Sequence, residues 1–346
     1  MALALFVLGL VVIKKLSSPS HMEKRISAMV GPDYVVDIGA SSYNPIRGTF
    51  TAEYIAIEPD TARRTEPFRR MWNFTATSVR AEDVSCLELF RKCFDARRVH
   101  FDTPRLRIQL DRRIAASKPI KVSTLPHDEL RQAENPVRID HVDITDGEII
   151  YSECAVDGSR PGSFVFGDLS ATITNVTNDT TQMDEPCTMD IRARLAGSGQ
   201  LNAAFEYNLA TRALDLDFRG SVGRMDVMSL NDLLVNLEGI YITSGVIDTT
   251  WFDFKVDEDV AKGTVTCLYR GLQFEIISKD SHKQGLGNAL ATIMSGHESN
   301  ESNPKDNDSA PVVATVVRRR DPTVPIIKFV WETVRAGLLM TLGVAD

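Results

Sequence analysis

The chain has few cysteines and no paired cysteine motif. Its 346 residues include five cysteines, and no two of them form a C-x-x-C pair, which argues against a zinc ribbon or a thioredoxin-type redox site. Cys154 and Cys187 could form a disulfide if their strands are neighbours, and the odd number leaves at least one thiol without a partner in the same chain. The cysteines therefore predict no metal or redox centre.

The chain also has fewer basic than acidic residues. The sequence has 39 Lys and Arg residues against 47 Asp and Glu residues, a formal net charge of -8. Because nucleic-acid backbones are anionic, an acidic chain is expected to repel them. We therefore predict no nucleic-acid partner. Nothing in the sequence sets the oligomeric state.

Motifs that carry catalysis or bind cofactors are missing as well. The sequence contains no G-x-S-x-G elbow, no P-loop and no H-E-x-x-H motif. His141 and Asp143 lie two residues apart on a predicted strand, where an exposed polar strand face explains them better than a metal site. The sequence therefore predicts a protein that is not an enzyme, with no catalytic residue, no cofactor and no metal.

Long hydrophobic runs are absent except at the N-terminus. Met1 to Ile13 is uncharged and apolar, and Lys14 and Lys15 follow. Such a run rises about 20 Å as a helix, whereas a bilayer core is about 30 Å thick. We interpret it as a membrane anchor, with a signal-peptide core or a buried helix as alternatives. The two lysines favour a cytoplasmic location for the segment that follows them.

The remainder of the chain predicts a mostly β fold. The expected fold class is an elongated antiparallel sheet or groove built of hairpins, with a few short helices and an N-terminal membrane helix. The predicted division is a membrane anchor at 1–16, an N-terminal β-rich domain with a short helix at 17–116, a linker at 117–136, a β domain at 137–280, a short helix and disordered loop at 281–310, and a C-terminal strand and apolar helix at 311–346.

Alternating polarity is densest in the predicted β domain. Asp146-Gly147 and Ser244-Gly245 stand between alternating arms and are predicted to be hairpin turns. Turn signals separated by about 8–12 residues indicate an antiparallel meander. Leucines at helical spacing over 230–237 predict one helix inside it.

Five phenylalanines mark the candidate binding surface. Phe164 and Phe166 lie two residues apart, as do Phe252 and Phe254, and Phe274 belongs to a similar alternating run. Alternate residues of a strand point to the same side of a sheet. The five residues could therefore line an open apolar groove that binds acyl chains, or fill an ordinary closed core. Their periodicity does not distinguish the two.

Several short motifs follow one another in a characteristic order. They are Ile144-Thr-Asp-Gly-Glu-Ile-Ile, Leu195-Ala-Gly-Ser-Gly-Gln-Leu, Ile242-Thr-Ser-Gly-Val-Ile, Gly263-Thr-Val-Thr-Cys-Leu-Tyr-Arg-Gly-Leu and Arg320-Asp-Pro. Together with the short N-terminal anchor, this order resembles the AsmA-like family of bacterial envelope proteins, in particular its shorter, uncharacterised members. The similarity covers roughly residues 30 to 345.

The resemblance implies a location and a function. It implies a single N-terminal anchor in the cell inner membrane, a body in the periplasm, and a long curved sheet with a hydrophobic groove. The expected function is non-catalytic: to bind or move phospholipid, or to assist outer-membrane assembly, with membrane and phospholipid acyl chains as partners. The alternative is a periplasmic structural scaffold with a closed apolar core and no lipid. Lys14 and Lys15 favour the opposite topology.

Overall fold

The structure covers most of the chain. The computed structural model describes residues 18–63, 67–85, 87–88, 93–115, 130, 135–156, 160–211, 213–277, 301–305 and 309–343. Its elements are α1 (Pro19–Val30), β1 (Tyr34–Asn44), β2 (Thr49–Pro59), β3 (Arg70–Glu82), β4 (Phe94–Asp102), β5 (Arg105–Asp111), β6 (Val137–Cys154), β7 (Gly162–Thr177), β8 (Cys187–Leu195), β9 (Gly199–Tyr207), β10 (Leu216–Val222), β11 (Met225–Asp226), a 3-10 turn (Val227–Leu230), α2 (Asn231–Glu238), β12 (Ile240–Asp257), β13 (Val260–Ile276), β14 (Val313–Arg319) and α3 (Ile326–Thr341).

All fourteen strands belong to one sheet, in the order β1-β2-β3-β4-β6-β7-β8-β9-β10-β12-β13-β14, with β5 beside β3 and β6 and with β11 beside β12. β4 and β5 lie end to end in one position, because each is antiparallel to β3 and parallel to β6. The mostly β prediction is confirmed. The sheet is mixed, however, and not purely antiparallel as expected.

The two predicted hairpin turns are wrong. Asp146-Gly147 lies inside β6 and Ser244-Gly245 lies inside β12. The strand pairing shifts register at both places, and the φ angles of Asp146 and Gly245 are 52° and 134°. These are β-bulges, which favour the same residue types as tight turns because both can require positive φ.

Bulged residues lie beside one another on neighbouring strands. Tyr54, Thr103, Asp146 and Asp168 have φ angles of 47°, 46°, 52° and 48°, and the hydroxyls of Thr77 and Thr103 are hydrogen-bonded. We call these five residues the bulge line. A bulge bends its strand and increases the local twist, so the bulge line bends the sheet across β2 to β7.

The sheet has one apolar and one polar face. A row of directly paired residues crosses its middle on the apolar face: Val142, Ile173, Met189, Phe205, Phe218 and Phe254. The neighbouring row, one residue away on each strand, lies on the polar face: Asp143, Thr172, Asp190, Ala204, Arg219 and Asp253. This alternation is the reason that the segments form strands with one face turned toward a core.

Helices at the two ends of the sheet close two apolar clusters. In the N-terminal cluster, Met22 and Ile26 of α1 join buried residues of β1 to β6. In the C-terminal cluster, Phe329 and Val334 of α3 join buried residues of β9, β10 and β12 to β14. Gly337 allows α3 to approach closely, since a Cβ there would lie 2.3 Å from Cγ2 of Val265.

Several predicted elements can be compared with the structure. The predicted helix over 230–237, the C-terminal strand and the C-terminal helix are confirmed as α2, β14 and α3. The sequence analysis does not predict α1 or β3. Half of the short helix predicted in the N-terminal domain, over 85–94, lies outside the described residues; Leu87 and Glu88 are helical, and the Glu88 N–H donates to the Ser85 hydroxyl at 3.3 Å, as expected of a helix N-cap.

The predicted segments at 1–16 and 281–300 lie outside the described residues, as does most of the linker at 117–136. The regions on either side of the linker share one sheet, because β6 pairs with β4 and β5. Among the described helices, none combines the length and the apolar character needed to cross a bilayer.

Candidate functional site

Apolar side chains remain partly accessible between the two clusters. On the apolar face of β5, β6 and β7, two neighbouring rows are half-buried rather than buried. Their residues are Leu106, Ile149 and Phe166 in one row, and Ile108, Tyr151 and Phe164 in the other. We call these six residues the central band. It lies beyond the bulge line, on the side away from α3.

The central band contains the first predicted phenylalanine pair. The rings of Phe164 and Phe166 are in edge contact, with their centroids 5.0 Å apart. Both side chains keep part of their surface accessible. This pair therefore has the exposure that a groove-lining residue requires.

The second predicted pair lies in the closed C-terminal cluster. Phe254 is 1% exposed and Phe252 is 9% exposed. The Phe254 ring stacks on Phe218 with centroids 5.0 Å apart, and both residues pack in the cluster that α3 covers. Phe252 and Phe254 are therefore core residues and do not line an open groove. Phe274 is half-buried opposite Ile242, near the other end of β12.

The central band ends at a polar row. Arg70, Leu110 and Glu153 are paired across β3, β5 and β6, two residues along each strand from the Ile108 row. The Glu153 side chain is almost buried; it accepts a hydrogen bond from the Tyr151 hydroxyl and forms an ion pair with Arg112 through Nε. Burial, and then the hydrogen bond to Glu153, raise the pKa of Tyr151 above its usual range, so this hydroxyl stays protonated.

Arginines surround this polar row. Arg69, Arg70, Arg112, Arg113 and Arg160 all lie in or next to the ends of β3, β5 and β7. We call these five residues the arginine end. The sequence analysis missed it. The available signal was the density of arginine at the edges of the predicted strands, but only pairing between segments distant in sequence brings these residues to the same edge of the sheet.

A concavity lies on the polar face of the sheet, with a volume of about 1070 Å³. Small side chains such as Ser170, Ala204 and Ser221 form its floor, and Arg219 and Trp251 rise beside them. Its lining side chains alternate with those of the apolar face, so it is separated from the central band by the sheet itself.

Some polar residues of this concavity bind one another. Asp143 accepts hydrogen bonds from Arg98 at 2.7 Å and from Thr172 at 3.0 Å. Within the described part of the chain, no group of three or more His, Cys, Asp or Glu side chains is placed to hold a metal ion.

None of the described cysteines forms a disulfide. Cys154 and Cys187 do not form the disulfide considered from the sequence. Burial raises the pKa of the Cys187 thiol to about 11 and that of the Cys267 thiol to about 11. These two groups are therefore protonated at neutral pH and are poor nucleophiles.

Comparison with known proteins gives no family. No protein-family model and no curated protein matches the chain.

Proposed function

We propose that this chain is a non-catalytic, AsmA-like protein of the bacterial envelope that binds phospholipid acyl chains on the apolar face of its sheet. The observation that carries the proposal is the central band, an apolar surface that is half-buried rather than buried. Neither α1 nor α3 lies over it, and α2 packs beside it on β7, where a Cβ at Gly162 would lie 2.9 Å from the Leu233 carbonyl oxygen. Apolar side chains in a protein of this size are normally closed into a core, so a partly open band favours a ligand or partner.

The central band has room for part of an acyl chain. Along β7 it extends from Phe164 to Phe166, about 7 Å at about 3.3 Å per residue, and beyond the bulge line Leu169 and Ala171 are buried. Half of a bilayer core, which corresponds to one extended acyl chain, is about 15 Å. The band would therefore contact about half the length of an extended acyl chain aligned with the strands.

The location is part of the same proposal. The uncharged run Met1 to Ile13 would anchor the chain in the inner membrane, and the body would lie in the periplasm and assist outer-membrane assembly. The support for this is the sequence of that run and the order of motifs, with Lys14 and Lys15 as evidence for the opposite topology.

A periplasmic scaffold without lipid is the second candidate. The burial of Phe254 favours it, because that half of the apolar face is closed by α3. In this case the polar-face concavity beside Trp251 would be the surface for a protein partner.

Binding of a neutral fluorescent fatty alcohol to the full chain tests the proposal. We expect saturable binding and a loss of roughly tenfold in affinity for Phe166→Asp, because a half-buried wall can solvate a carboxylate while the alkyl contact is lost. The matched control is Val165→Asp, a half-buried position between Phe164 and Phe166 whose side chain lies on the opposite face of the same strand. No binding to the full chain, or equal binding by the two variants, would contradict lipid binding and favour the scaffold function instead.

A further inference from the structure

We propose that the arginine end binds the phosphate of an anionic phospholipid whose acyl chain lies on the central band. This inference rests on the proposed function and adds which headgroup is recognised and where. The first support is the position of the arginines relative to the central band. The row of Arg70, Leu110 and Glu153 follows directly after the row of Ile108, Tyr151 and Phe164 on the apolar face. Two strand residues separate the rows by about 7 Å.

The arginine end carries an excess of positive charge in an acidic protein. Arg112 pairs with Glu153, and Arg113 pairs with Asp111 at 2.7 Å. Arg69 donates to the Ile114 carbonyl at 2.5 Å, which leaves its charge uncompensated. Among the described residues, Arg70 and Arg160 form no ion pair, and both are exposed. Within the described ranges, Arg70 therefore keeps an uncompensated positive charge on the apolar face, whereas Arg69, its neighbour in sequence, points to the opposite face. The chain as a whole has a net charge of -8.

One of the arginines is held in position. The nearly buried Glu153 carboxylate pairs with Nε of Arg112, whose side chain is 48% exposed. The terminal nitrogens of that guanidinium can therefore donate to a ligand. Guanidinium groups bind phosphate through paired N–H donors, and a guanidinium that is already held loses less entropy on binding. Asp232 accepts from the backbone N–H of Ser163 nearby, so its carboxylate is already engaged.

The combination identifies the occupant as an amphiphile. Free phosphate would use the arginines but not the apolar rows, and a neutral lipid would use the rows but not the arginines. A phospholipid with an anionic headgroup would place its acyl chain on the apolar rows and its phosphate against the arginines. Arg70 and Arg112 continue the apolar face on one side of the sheet, which gives a bound lipid a single direction along the strands.

Lipid retention by the full chain tests this inference. The chain is incubated with vesicles of phosphatidylcholine alone or mixed with phosphatidylglycerol, re-isolated, and its bound lipid is quantified by mass spectrometry. We expect enrichment of phosphatidylglycerol, reduced roughly fivefold by Arg70→Gln and further by Arg70→Gln with Arg160→Gln, as expected from the loss of charge-assisted hydrogen bonds at a partly exposed site.

Controls separate this inference from the proposed function. Arg80→Gln is matched, because Arg80 is exposed on the polar face of the same strand, β3. Arg70→Gln should bind the neutral fatty alcohol as the parent does. Normal fatty-alcohol binding with no loss of phosphatidylglycerol enrichment in Arg70→Gln would overturn the headgroup site alone. Inorganic phosphate that binds the parent as tightly as the lipid does would overturn it as well, by showing an anion site independent of the apolar face.

Discussion

Asp179 shows how a single carboxylate stabilises the junction of β6 and β7. It accepts hydrogen bonds from the backbone N–H of Thr181 at 3.0 Å and from the Thr181 hydroxyl at 2.8 Å. Arg138 of β6 also pairs with it. The Thr181 backbone bond, the Thr181 hydroxyl bond and then Arg138 lower the pKa of Asp179.

This carboxylate predicts a pH-dependent contribution to stability. Its pKa is lower in the folded than in the unfolded protein, so its contribution is full above the unfolded value of about 3.9 and is lost as pH falls through the folded value. We expect Asp179→Asn to lower the free energy of unfolding by about 1–2 kcal/mol at pH 7 and by progressively less below about pH 4. Urea unfolding at several pH values measures this.

Asp168→Asn is the control for that series. Asp168 pairs with Arg194 at 2.7 Å, but its side chain is 67% exposed, and exposed pairs contribute little. Asparagine also tolerates the positive φ of this bulge position. A loss of stability in Asp168→Asn as large as that in Asp179→Asn would contradict the assignment.

At the same scale, the sequence could assign phenylalanines to strand faces but could not predict their burial. Period-two spacing is a property of one strand, so it relates Phe164 to Phe166 and Phe252 to Phe254 correctly. Whether a pair is covered depends on which helix packs over its part of the sheet. The alignment of Arg70 and Glu153 on either side of Leu110 depends on the register of β3, β5 and β6, which no local pattern contains.

Among the elements, α3 depends on one glycine. A side chain at Gly337 would meet Val265 and Val316 of the underlying strands. We expect Gly337→Ala to displace α3 and to lower the free energy of unfolding by about 1–3 kcal/mol, as overpacking usually does. Differential scanning calorimetry measures the change.

Gly167→Ala is the matched substitution in the sheet, because an added Cβ there would meet no atom within 4 Å. Its melting temperature should stay close to that of the parent. An unchanged melting temperature for Gly337→Ala would mean that α3 is not held at the distance described.

The elements themselves were only partly predictable. Long alternation identified most strands from β6 onward, whereas β3 was missed because its apolar residues are separated by Asn, Thr and Ser. Bulges were mistaken for turns because Asp-Gly and Ser-Gly suit both. Two arms that leave a hairpin turn and two halves of a bulged strand have the same local pattern.

Across the whole molecule, the apolar core is divided. The two closed clusters lie at opposite ends of the sheet and are linked through half-buried side chains. We expect the two halves to unfold with different midpoints. Phe254→Ala should cost about 3–5 kcal/mol and act on the C-terminal half.

Tryptophan fluorescence can report the two halves separately. Trp72 belongs to the N-terminal cluster and Trp331 to α3. With the other tryptophans replaced by phenylalanine, Phe254→Ala should lower the urea midpoint reported by Trp331 and leave that reported by Trp72 nearly unchanged. Equal shifts of both midpoints would show one cooperative unit instead.

The single parallel junction of the sheet has a consequence for the order of folding. Almost every strand pairs with the strand that precedes it in the chain, so these contacts are local and close quickly. β6 differs because its pairing with β4 and β5 is parallel, and parallel strands need a longer connection than the hairpins that join antiparallel neighbours. During synthesis, β1 to β5 can therefore form before β6 emerges, and the docking of β6 becomes the slow step on which all later strands depend.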